Sequence, residues 1–428
     1  MRRRFLLSML ASDLGALFLG LVVASLLVFE TPNPWAADLG TVGASLWPLV
    51  ILLVGGVLLG SYASLRMWAR GAPRPSYGRA FSIVLLAGGF TSVGILVSRT
   101  YFSRPFLAAT LGVTTLLALL HRAYHRRRPW MEQMVLVTGE KGLVDDMRDA
   151  DHADVLSVYD PAGDPPSDPK DTFATLVVDL RPVMADRMAQ FVSSWNLAGY
   201  RVRPLASVYE EHTGRLPIVH LAEGWELTDP VARNEYAAFK RGVDIVLTLA
   251  FAPIWIPLGA IIWLAVKFDS RGPAIYKQER VGRLGEPFTL LKFRTMVLDA
   301  ESEGPRFASL KDDRLTRVGK LLRRFRADEI PQLWNVLRGD LSLVGPRPER
   351  PVFTERYDES IPFYGYRHLI RPGVTGWAQV NYGYADDEAD TIDKLTYDLY
   401  YVKHMSPWLD MHILGKSVWT VLSGFGAQ

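Results

Sequence analysis

Four apolar runs alternate with polar segments at the start of the chain. The first is too long for a signal peptide, and each approaches the roughly 20 residues that a membrane-spanning helix needs, the fourth being marginal. Arginine-rich segments follow the second and fourth runs, and positively charged loops stay in the cytoplasm. We therefore predict a retained four-helix transmembrane bundle with both ends in the cytoplasm and uncharged helix cores. The runs are Phe5 to Phe29, Leu46 to Leu65, Ala80 to Val97 and Phe106 to Leu120.

The pattern changes between Met131 and Gly224, where short apolar runs alternate with polar segments. This alternation is typical of a small α/β domain of Rossmann-like type. The residues after the first predicted strand of this domain, Thr138 to Gly142, lack the glycine spacing that lets the backbone approach a pyrophosphate. We therefore expect a structural or regulatory module rather than a dinucleotide site. The predicted strands are Met134 to Val137, Asp154 to Val158 and Thr175 to Asp179, and the predicted helix is Asp186 to Leu197.

A fifth apolar run, from Ile245 to Val266, has lysines and arginines on both sides. Pro253 and Pro257 lie inside it, and each removes a helix hydrogen bond and favours a kink. Because both flanks are basic, the charge rule places both in the cytoplasm. We interpret the run as a re-entrant helix that enters one leaflet and returns, with the Thr248 hydroxyl bonded to a freed carbonyl. The alternative, a kinked fifth span, would place the carboxylates that follow outside the cell.

Two strands are predicted after this run, Ala274 to Gln278 and Phe288 to Phe293. Lys292 and Arg294 lie two residues apart, so they share a face of the second strand. Two cations directed toward one point suit a phosphate group. The alternative is an ordinary solvated strand face.

A basic amphipathic helix is predicted over Leu315 to Phe325, where apolar residues recur at helical spacing. Asp328 and Glu329 follow it, and Pro331 indicates that a second helix starts there, with Asp328 near its N-terminus. Adjacent carboxylates among cations suit phosphate chemistry, with one able to attack phosphorus and one able to hold a divalent metal. The alternative is an ordinary aspartate cap on a solvated helix.

A stiff loop is predicted from Gly345 to Pro348, after a short strand over Leu341 to Val344. Arg347 lies between two prolines in this loop. Because the prolines restrict the backbone, its guanidinium loses little entropy when it binds a phosphate or another planar pair of oxygens.

The composition excludes several kinds of functional site. The chain of 428 residues has no cysteine, which excludes disulfides, a cysteine nucleophile and thiolate metal sites. Its eight histidines show no paired ligand spacing, so no zinc site is predicted. The formal net charge is only +3 at pH 7, and no nucleic-acid partner is expected.

Several ordered motifs together carry a family resemblance: the Asp328-Glu329 pair, the Arg347 loop, Lys292 to Met296 (KFRTM) and Arg371 to Asn381 (RPGVTGWAQVN). They closely resemble the bacterial polyprenyl-phosphate phosphoglycosyl transferases. The resemblance implies a membrane α plus α/β fold, in which a monotopic catalytic domain combines a re-entrant helix with interfacial helices. Residues 1–128 would form the bundle, 129–232 a degenerate Rossmann-like module and 233–428 the catalytic domain.

The resemblance also implies a reaction. A sugar 1-phosphate would pass from a UDP-sugar to undecaprenyl phosphate with release of UMP, as the first membrane step of exopolysaccharide, capsule or O-antigen synthesis. Glucose or galactose is the expected sugar, Mg²⁺ the expected cofactor with Mn²⁺ as a substitute, and a homodimer at the cytoplasmic face of the bacterial inner membrane the expected assembly. Two other classes stay open: a membrane glycosyltransferase that releases UDP, and a non-catalytic sensor or scaffold.

The roles of individual residues follow from the motifs and the resemblance. We expect Asp328 to form an aspartyl-phosphosugar and Glu329 to hold the metal, with Asp328 sharing it. The family commonly has Ser-Pro at the helix break, whereas this chain has Ala252-Pro253. Asp393 and Asp410 are interpreted as surface acids and Asp398 as structural. The expected substrate-binding residues are Lys292, Arg294, Thr295, Arg323, Pro346, Arg347 and Pro348.

Overall fold

The computed structural model describes residues 2–35, 47–68, 77–98, 103–126, 131–150, 152–166, 174–218, 236–297, 314–382 and 388–423. The chain divides into two compact units, Met1–Thr213 and Gly214–Gln428. The predicted domain boundaries after residues 128 and 232 lie outside the described residues. The division into three domains therefore stays a prediction.

Four long helices begin the first unit: α1 (Arg2–Phe29), α2 (Trp47–Trp68), α3 (Tyr77–Ser98) and α4 (Arg104–Arg126). Helix α1 packs against α4, and α2 packs against α3. Small residues allow the close approach, because a Cβ at Gly20 would collide with Thr114 and a Cβ at Gly56 with Ala87. Within this group, the described segments Met9–Phe29 and Arg104–Tyr124 are long and apolar enough to cross a membrane. That all four helices span a membrane stays a prediction.

The expectation of uncharged helix cores is wrong. Asp13 on α1 and Arg122 on α4 form a two-pronged ion pair, with Nη1–Oδ1 and Nη2–Oδ2 distances of 2.8 and 3.0 Å. Each side chain is 4% exposed. Charges inside a helical bundle are tolerated when they pair with each other, and this pair joins the first and fourth helices.

The α/β part of the first unit contains a four-stranded parallel sheet with strand order β2-β1-β3-β4. Alternate β1 residues face opposite sides: Met134 and Leu136 pack in one apolar core, Val135 and Val137 in the other. The three strands and the helix predicted from the sequence are confirmed. The elements are β1 (Glu132–Val137), α5 (Lys141–Asp149), β2 (Ala153–Tyr159), β3 (Thr175–Val178), α6 (Asp186–Leu197), β4 (Val202–Pro204) and α7 (Leu205–Thr213).

Four polar residues after β1 and β3 form what we name the module cluster: Thr138, Glu140, Asp179 and Arg181. Thr138 donates its hydroxyl to Asp179 at 3.1 Å. Arg181 Nη2 donates to Asp179 Oδ2 and to Glu140 Oε1 at 3.0 Å each. These residues lie at the carboxyl ends of neighbouring parallel strands, the edge where such folds commonly bind ligands, but they bind one another.

The first two helices that the structure describes in the second unit are apolar: α8 (Tyr236–Ala250) and α9 (Ala252–Asp269). They meet at Phe251, and Pro253 lies in the first turn of α9. The Trp255 indole donates to the Thr248 carbonyl at 3.0 Å across this break. The Thr248 hydroxyl instead donates to the Asp244 carbonyl, so its predicted bond to a freed carbonyl is wrong. Helix α9 is long and apolar enough to cross a membrane, and its re-entrant path stays a prediction.

The rest of the second unit builds a compact α/β body. Strands β5 and β6 are antiparallel, and β7 and β8 are parallel. The core includes Tyr364, Tyr400 and Tyr401. The elements are β5 (Ile275–Val281), β6 (Pro287–Phe293), α10 (Arg317–Arg324), α11 (Gln332–Arg338), β7 (Ser342–Val344), α12 (Pro351–Ser360), β8 (Gly373–Thr375), α13 (Trp377–Asn381), α14 (Glu388–His404) and α15 (Pro407–Ser423).

Two aspartates of the C-terminal helices are buried. Asp398 receives Arg367 Nη2 at 2.7 Å, which confirms its structural interpretation. Asp410, predicted to be a surface acid, is 6% exposed, so that prediction is wrong. It accepts hydrogen bonds from Lys240, Tyr236 and Tyr401 and thereby holds the start of α8 against α15.

Candidate active site

The segment that carries the paired carboxylates follows α10 and begins with a constrained turn at Arg326. Thr316 caps α10 by accepting the Gly319 amide at 2.9 Å. At the other end of α10, Arg326 has a left-handed φ of 51°. A non-glycine residue in that region is strained, and such residues concentrate at functional sites. The 3₁₀ turn Ala327–Glu329 follows, so Asp328 lies in a turn before α11 rather than within that helix.

Glu329 binds two cations that come from other elements. Arg347 donates Nη1 and Nη2 to Glu329 Oε1 at 3.2 Å each. Lys292 Nζ, on β6, lies 3.5 Å from the same oxygen, and the Glu329 side chain is only 11% exposed. Three separate segments thus contribute to one buried charge cluster.

Asp328 differs from its neighbour. It is 9% exposed, and among the described residues nothing is hydrogen-bonded or ion-paired to its carboxylate. Lys292, Arg323 and Arg347 act on it through charge without a direct bond. The carboxylate of Asp328 is therefore free to meet a ligand. We name Lys292, Arg323, Asp328, Glu329 and Arg347 the carboxylate site.

The pKa values of the two carboxylates shift in opposite directions. Burial and the charge of Glu329 raise the pKa of Asp328. Burial also raises the pKa of Glu329, but the charges of Arg347, Lys292 and Arg326 outweigh burial and lower it. Burial lowers the pKa of Lys292 to about 8, although Glu329 opposes this shift. Neighbouring carboxylates whose pKa values are pushed apart can take different chemical roles.

The other predicted phosphate-binding residues lie beside α10 and at the end of α9. Arg323 Nε donates to Thr295 Oγ1 at 3.0 Å. Arg294 Nη2 donates to the Ser270 carbonyl at 2.9 Å and to its hydroxyl at 2.8 Å. Its Nε and Nη1 atoms are buried without a hydrogen-bond partner within the described part of the chain. Convergence of Lys292 and Arg294 on one phosphate stays a prediction.

Sequence reasoning missed the support of the Arg347 loop. A Cβ at Gly345, Gly373 or Gly376 would collide with neighbouring backbone, so this loop and β8 can meet only through glycines. The glycines belong to two of the motifs quoted above, and their spacing was the available signal. Nothing in the sequence marks the left-handed turn at Arg326.

The donor set suits one kind of metal ion. The described residues contain no group of three or more histidine, aspartate or glutamate side chains that could hold a metal alone. Mg²⁺ commonly takes one or two protein carboxylates and completes its shell with water and substrate phosphates. The unbonded Asp328 carboxylate beside Glu329 fits that requirement.

Comparison with known proteins matches residues 235–424 to the bacterial sugar transferase family model. The chain is 43% identical over 260 residues to a UDP-N-acetylgalactosamine-undecaprenyl-phosphate N-acetylgalactosaminephosphotransferase of Aeromonas hydrophila, with 60% of each chain covered. UDP-glucose:undecaprenyl-phosphate glucose-1-phosphate transferases are also similar. The Caulobacter vibrioides protein is 39% identical over 198 residues, which cover 45% of this chain and 73% of that protein. The Escherichia coli protein is 41% identical over 190 residues, which cover 44% and 40%.

Proposed function

The chain belongs to the bacterial sugar transferase family, and we propose that it transfers a sugar 1-phosphate from a UDP-sugar to undecaprenyl phosphate and releases UMP. The observation that carries the proposal is the unequal carboxylate pair. Glu329 is held by two cations, whereas Asp328 is unbonded among the described residues. Such a pair supplies one fixed negative charge and one nucleophile.

The proposed reaction has two displacements. An Asp328 oxygen attacks the β-phosphorus of the UDP-sugar, and the bond from that phosphorus to the bridging oxygen breaks, so UMP leaves with the electron pair. A phosphate oxygen of undecaprenyl phosphate then attacks the same phosphorus. The aspartyl–phosphorus bond breaks, which restores the carboxylate and yields undecaprenyl-diphospho-sugar. Neither step needs a strong acid or base, because charge on phosphate oxygens is the main obstacle.

The cations of the carboxylate site offset that charge. Lys292 and Arg347 would bind phosphate oxygens together with Arg323, and the Pro346-Arg347-Pro348 loop would hold the nucleotide. Arg294 and Thr295, next to Arg323, would also help to bind the phosphate groups. Glu329, with Asp328 sharing, would hold Mg²⁺, which when bound neutralises diphosphate oxygens. Mn²⁺ could substitute.

We propose that α8 and α9 form a re-entrant membrane hairpin on the cytoplasmic face of the inner membrane. Both ends of the pair contact the same body: Lys240 pairs with Asp410, and Asp269 accepts the Val318 amide at 3.0 Å. Both helices and the turn between them expose apolar side chains, which suits lipid. The exposed residues are Phe239, Val246, Leu249, Phe251, Ile254, Ile256, Leu258, Ile261, Trp263, Leu264 and Phe268.

The sugar and the assembly need direct measurement. The Aeromonas relative is named for N-acetylgalactosamine and the other two for glucose, so the expected glucose or galactose is tested beside N-acetylgalactosamine. A homodimer is also proposed, and native mass spectrometry of the detergent-solubilised chain checks it.

The test is nucleotide release by the purified chain with undecaprenyl phosphate, Mg²⁺ and a panel of UDP-sugars. We expect UMP with one sugar and none from Asp328→Asn, whose folding is verified by its melting temperature. Asp358→Asn, on α12, serves as the matched control. Release of UDP would indicate a simple glycosyltransferase, and no release with any sugar would favour the sensor or scaffold.

A further inference from the structure

The loop that presents Arg347 is held by every carbonyl group from Pro346 to Glu349. Gly373 N–H donates to the Pro346 carbonyl at 2.9 Å, and Val281 N–H donates to the Glu349 carbonyl at 3.0 Å. Between them, Arg367 Nη2 donates to the Arg347 carbonyl and Arg280 Nη1 to the Pro348 carbonyl, each at 3.0 Å. The two inner carbonyls are thus held by side chains, which single substitutions can remove.

Arg367 is fixed from behind by buried partners. Its Nη2 also donates to Asp398 at 2.7 Å, and its Nη1 donates to the Tyr364 hydroxyl at 2.5 Å. The side chains of Arg367 and Asp398 are only 3% and 2% exposed. A guanidinium with this many fixed partners has little freedom, so the carbonyl it binds is fixed as well.

A second ion cluster holds the same loop one residue further on. Glu349 accepts Lys394 Nζ at 2.9 Å, and Arg280 Nη1 lies 3.7 Å from its other oxygen. Lys394 and Asp398 lie four residues apart on α14, so they lie on one face of the helix. That helix therefore supports the loop through Glu349 and through Arg367.

We propose that Arg367, fixed by Asp398, and Arg280 are positioning residues of the transfer reaction, because they hold the backbone of Arg347 where its guanidinium meets Glu329. None of these residues contacts the carboxylates directly. Arg367 and Asp398 act on the reaction through Arg347, since a loop stiffened by two prolines moves as a unit when one of its anchors is lost. The charge of Arg280 also acts on Lys292. This inference rests on the proposed function.

The decisive experiment is a double-mutant cycle between Arg367→Lys and Arg347→Ala in the full chain, read as kcat and KM for UMP release. We expect Arg367→Lys to lower kcat/KM about 30-fold with Arg347 present and less than about threefold in the Arg347→Ala background, because coupled residues are non-additive. Equal losses in both backgrounds would mean a general structural role and would overturn the proposal. Absence of UMP release by the unsubstituted chain would instead remove the proposed function.

A second readout does not depend on activity. Hydrogen exchange at the amides of Val281 and Gly373, which bind the loop carbonyls, should accelerate in Arg367→Lys. Unchanged exchange there would overturn the proposal even if activity falls. Lys416→Gln is the matched control, because Lys416 bonds Asn381 at 2.7 Å within the same body and away from the loop. If Arg367→Lys does not fold, Arg280→Lys enters the same cycle, since it removes the guanidinium contact with the Pro348 carbonyl and keeps the positive charge that acts on Glu349 and Lys292.

Discussion

The module cluster and the carboxylate site both combine arginine with two carboxylates, and they distribute hydrogen bonds in opposite ways. In the module cluster, Arg181 bonds Asp179 and Glu140, and Asp179 also receives Thr138. In the carboxylate site, Arg347 and Lys292 converge on Glu329, and Asp328 has no bonding partner among the described residues.

The difference distinguishes a structural cluster from the proposed reactive site. A charge whose hydrogen bonds are all internal stabilises the fold and offers a ligand nothing, whereas a buried carboxylate without a bond keeps its lone pairs for a ligand or an electrophile. Substitution of the same residue types should therefore lower stability in the module cluster and the rate of transfer in the carboxylate site. The following changes test that contrast, from the largest expected effect on transfer to the smallest.

Removal of either carboxylate at position 328 or 329 should have the largest effect. We expect Asp328→Asn to lower the rate of UMP release by about 10⁴-fold or more, because it removes the proposed nucleophile. Glu329→Gln should cost about 10²-fold to 10³-fold, since it removes a charge rather than the reacting group. Raising Mg²⁺ should recover part of the activity of Glu329→Gln and none of Asp328→Asn. Recovery of both variants to the same degree would show that the two carboxylates are equivalent.

Loss of the Arg347 guanidinium should come next. Arg347→Ala removes both hydrogen bonds to Glu329, and we expect kcat/KM to fall about 10²-fold, the usual effect of deleting one preorganised donor. Arg347→Lys keeps the charge but loses the forked geometry of the guanidinium. Its kcat/KM should lie between that of Arg347→Ala and that of the unsubstituted chain. Steady-state kinetics with varied UDP-sugar measure both variants. Activity of Arg347→Ala near that of the unsubstituted chain would contradict a role for this loop.

The turn at Arg326 gives a smaller and more specific effect. Arg326→Gly removes a charge that acts on Glu329, so we expect about a threefold loss of activity. Glycine also adopts the left-handed φ without strain. The free energy of unfolding should therefore be about 1 kcal/mol higher for Arg326→Gly than for Arg326→Ala, and its melting temperature should be higher. Thermal melting of both variants measures the difference. A lower melting temperature for the glycine variant would mean that the turn is unstrained.

The module cluster should leave transfer almost unchanged. Asp179→Asn weakens three hydrogen bonds from Arg181, two from its side chain and one from its amide, and one from Thr138. We expect the module to lose about 1–3 kcal/mol of stability. UMP release should stay within about twofold, because the proposed carboxylate site lies in the second unit. Hydrogen exchange in β1 and β3 monitors the module separately. A tenfold loss of activity in a stable variant would give the module a direct part in the reaction.

A buried glutamate of the module predicts a pH effect on stability alone. Burial raises the pKa of Glu132, but the hydrogen bond and charge of His212 outweigh burial and lower the pKa from 4.5 to about 2. The folded state therefore favours the ionised form, and the resulting stability is complete above pH 4.5 and is lost as the pH falls toward 2. It amounts to about 3 kcal/mol. Unfolding of the chain between these pH values should show that dependence, and Glu132→Gln should abolish it.

The sequence indicated the elements whose signal is local. Alternation of apolar residues predicted β1, β2 and β3, and helical periodicity predicted α6 with the bounds that the structure has. The Asp328-Glu329 pair and the loop around Arg347 were recognised through their motifs. In the structure Lys292 and Arg347 meet at Glu329, which the sequence did not predict, and the roles of these residues in the reaction stay predictions.

Features that depend on distant partners were not predictable. Asp410 looks like a surface acid in sequence, and only the packing of α8 against α15 buries it beneath Lys240. The different bonding of Asp328 and Glu329 likewise depends on which of the two carboxylates the cations reach. The periodicity of the sequence does not contain that information. Arg367 gave no signal either, because its role depends on a carbonyl 20 residues away.

The ion pair between Asp13 and Arg122 bears on how the chain is synthesised. Helix α1 leaves the ribosome before α4, and a lone aspartate at the centre of an inserting helix disfavours insertion by about 3 kcal/mol, less near an end. Its partner is made 109 residues later. If α1 and α4 span the membrane as predicted, stable insertion of α1 has to wait for α4, and the two helices are expected to leave the translocon as a coupled pair. Termination of synthesis before α4 would leave α1 as a substrate for membrane quality-control proteases.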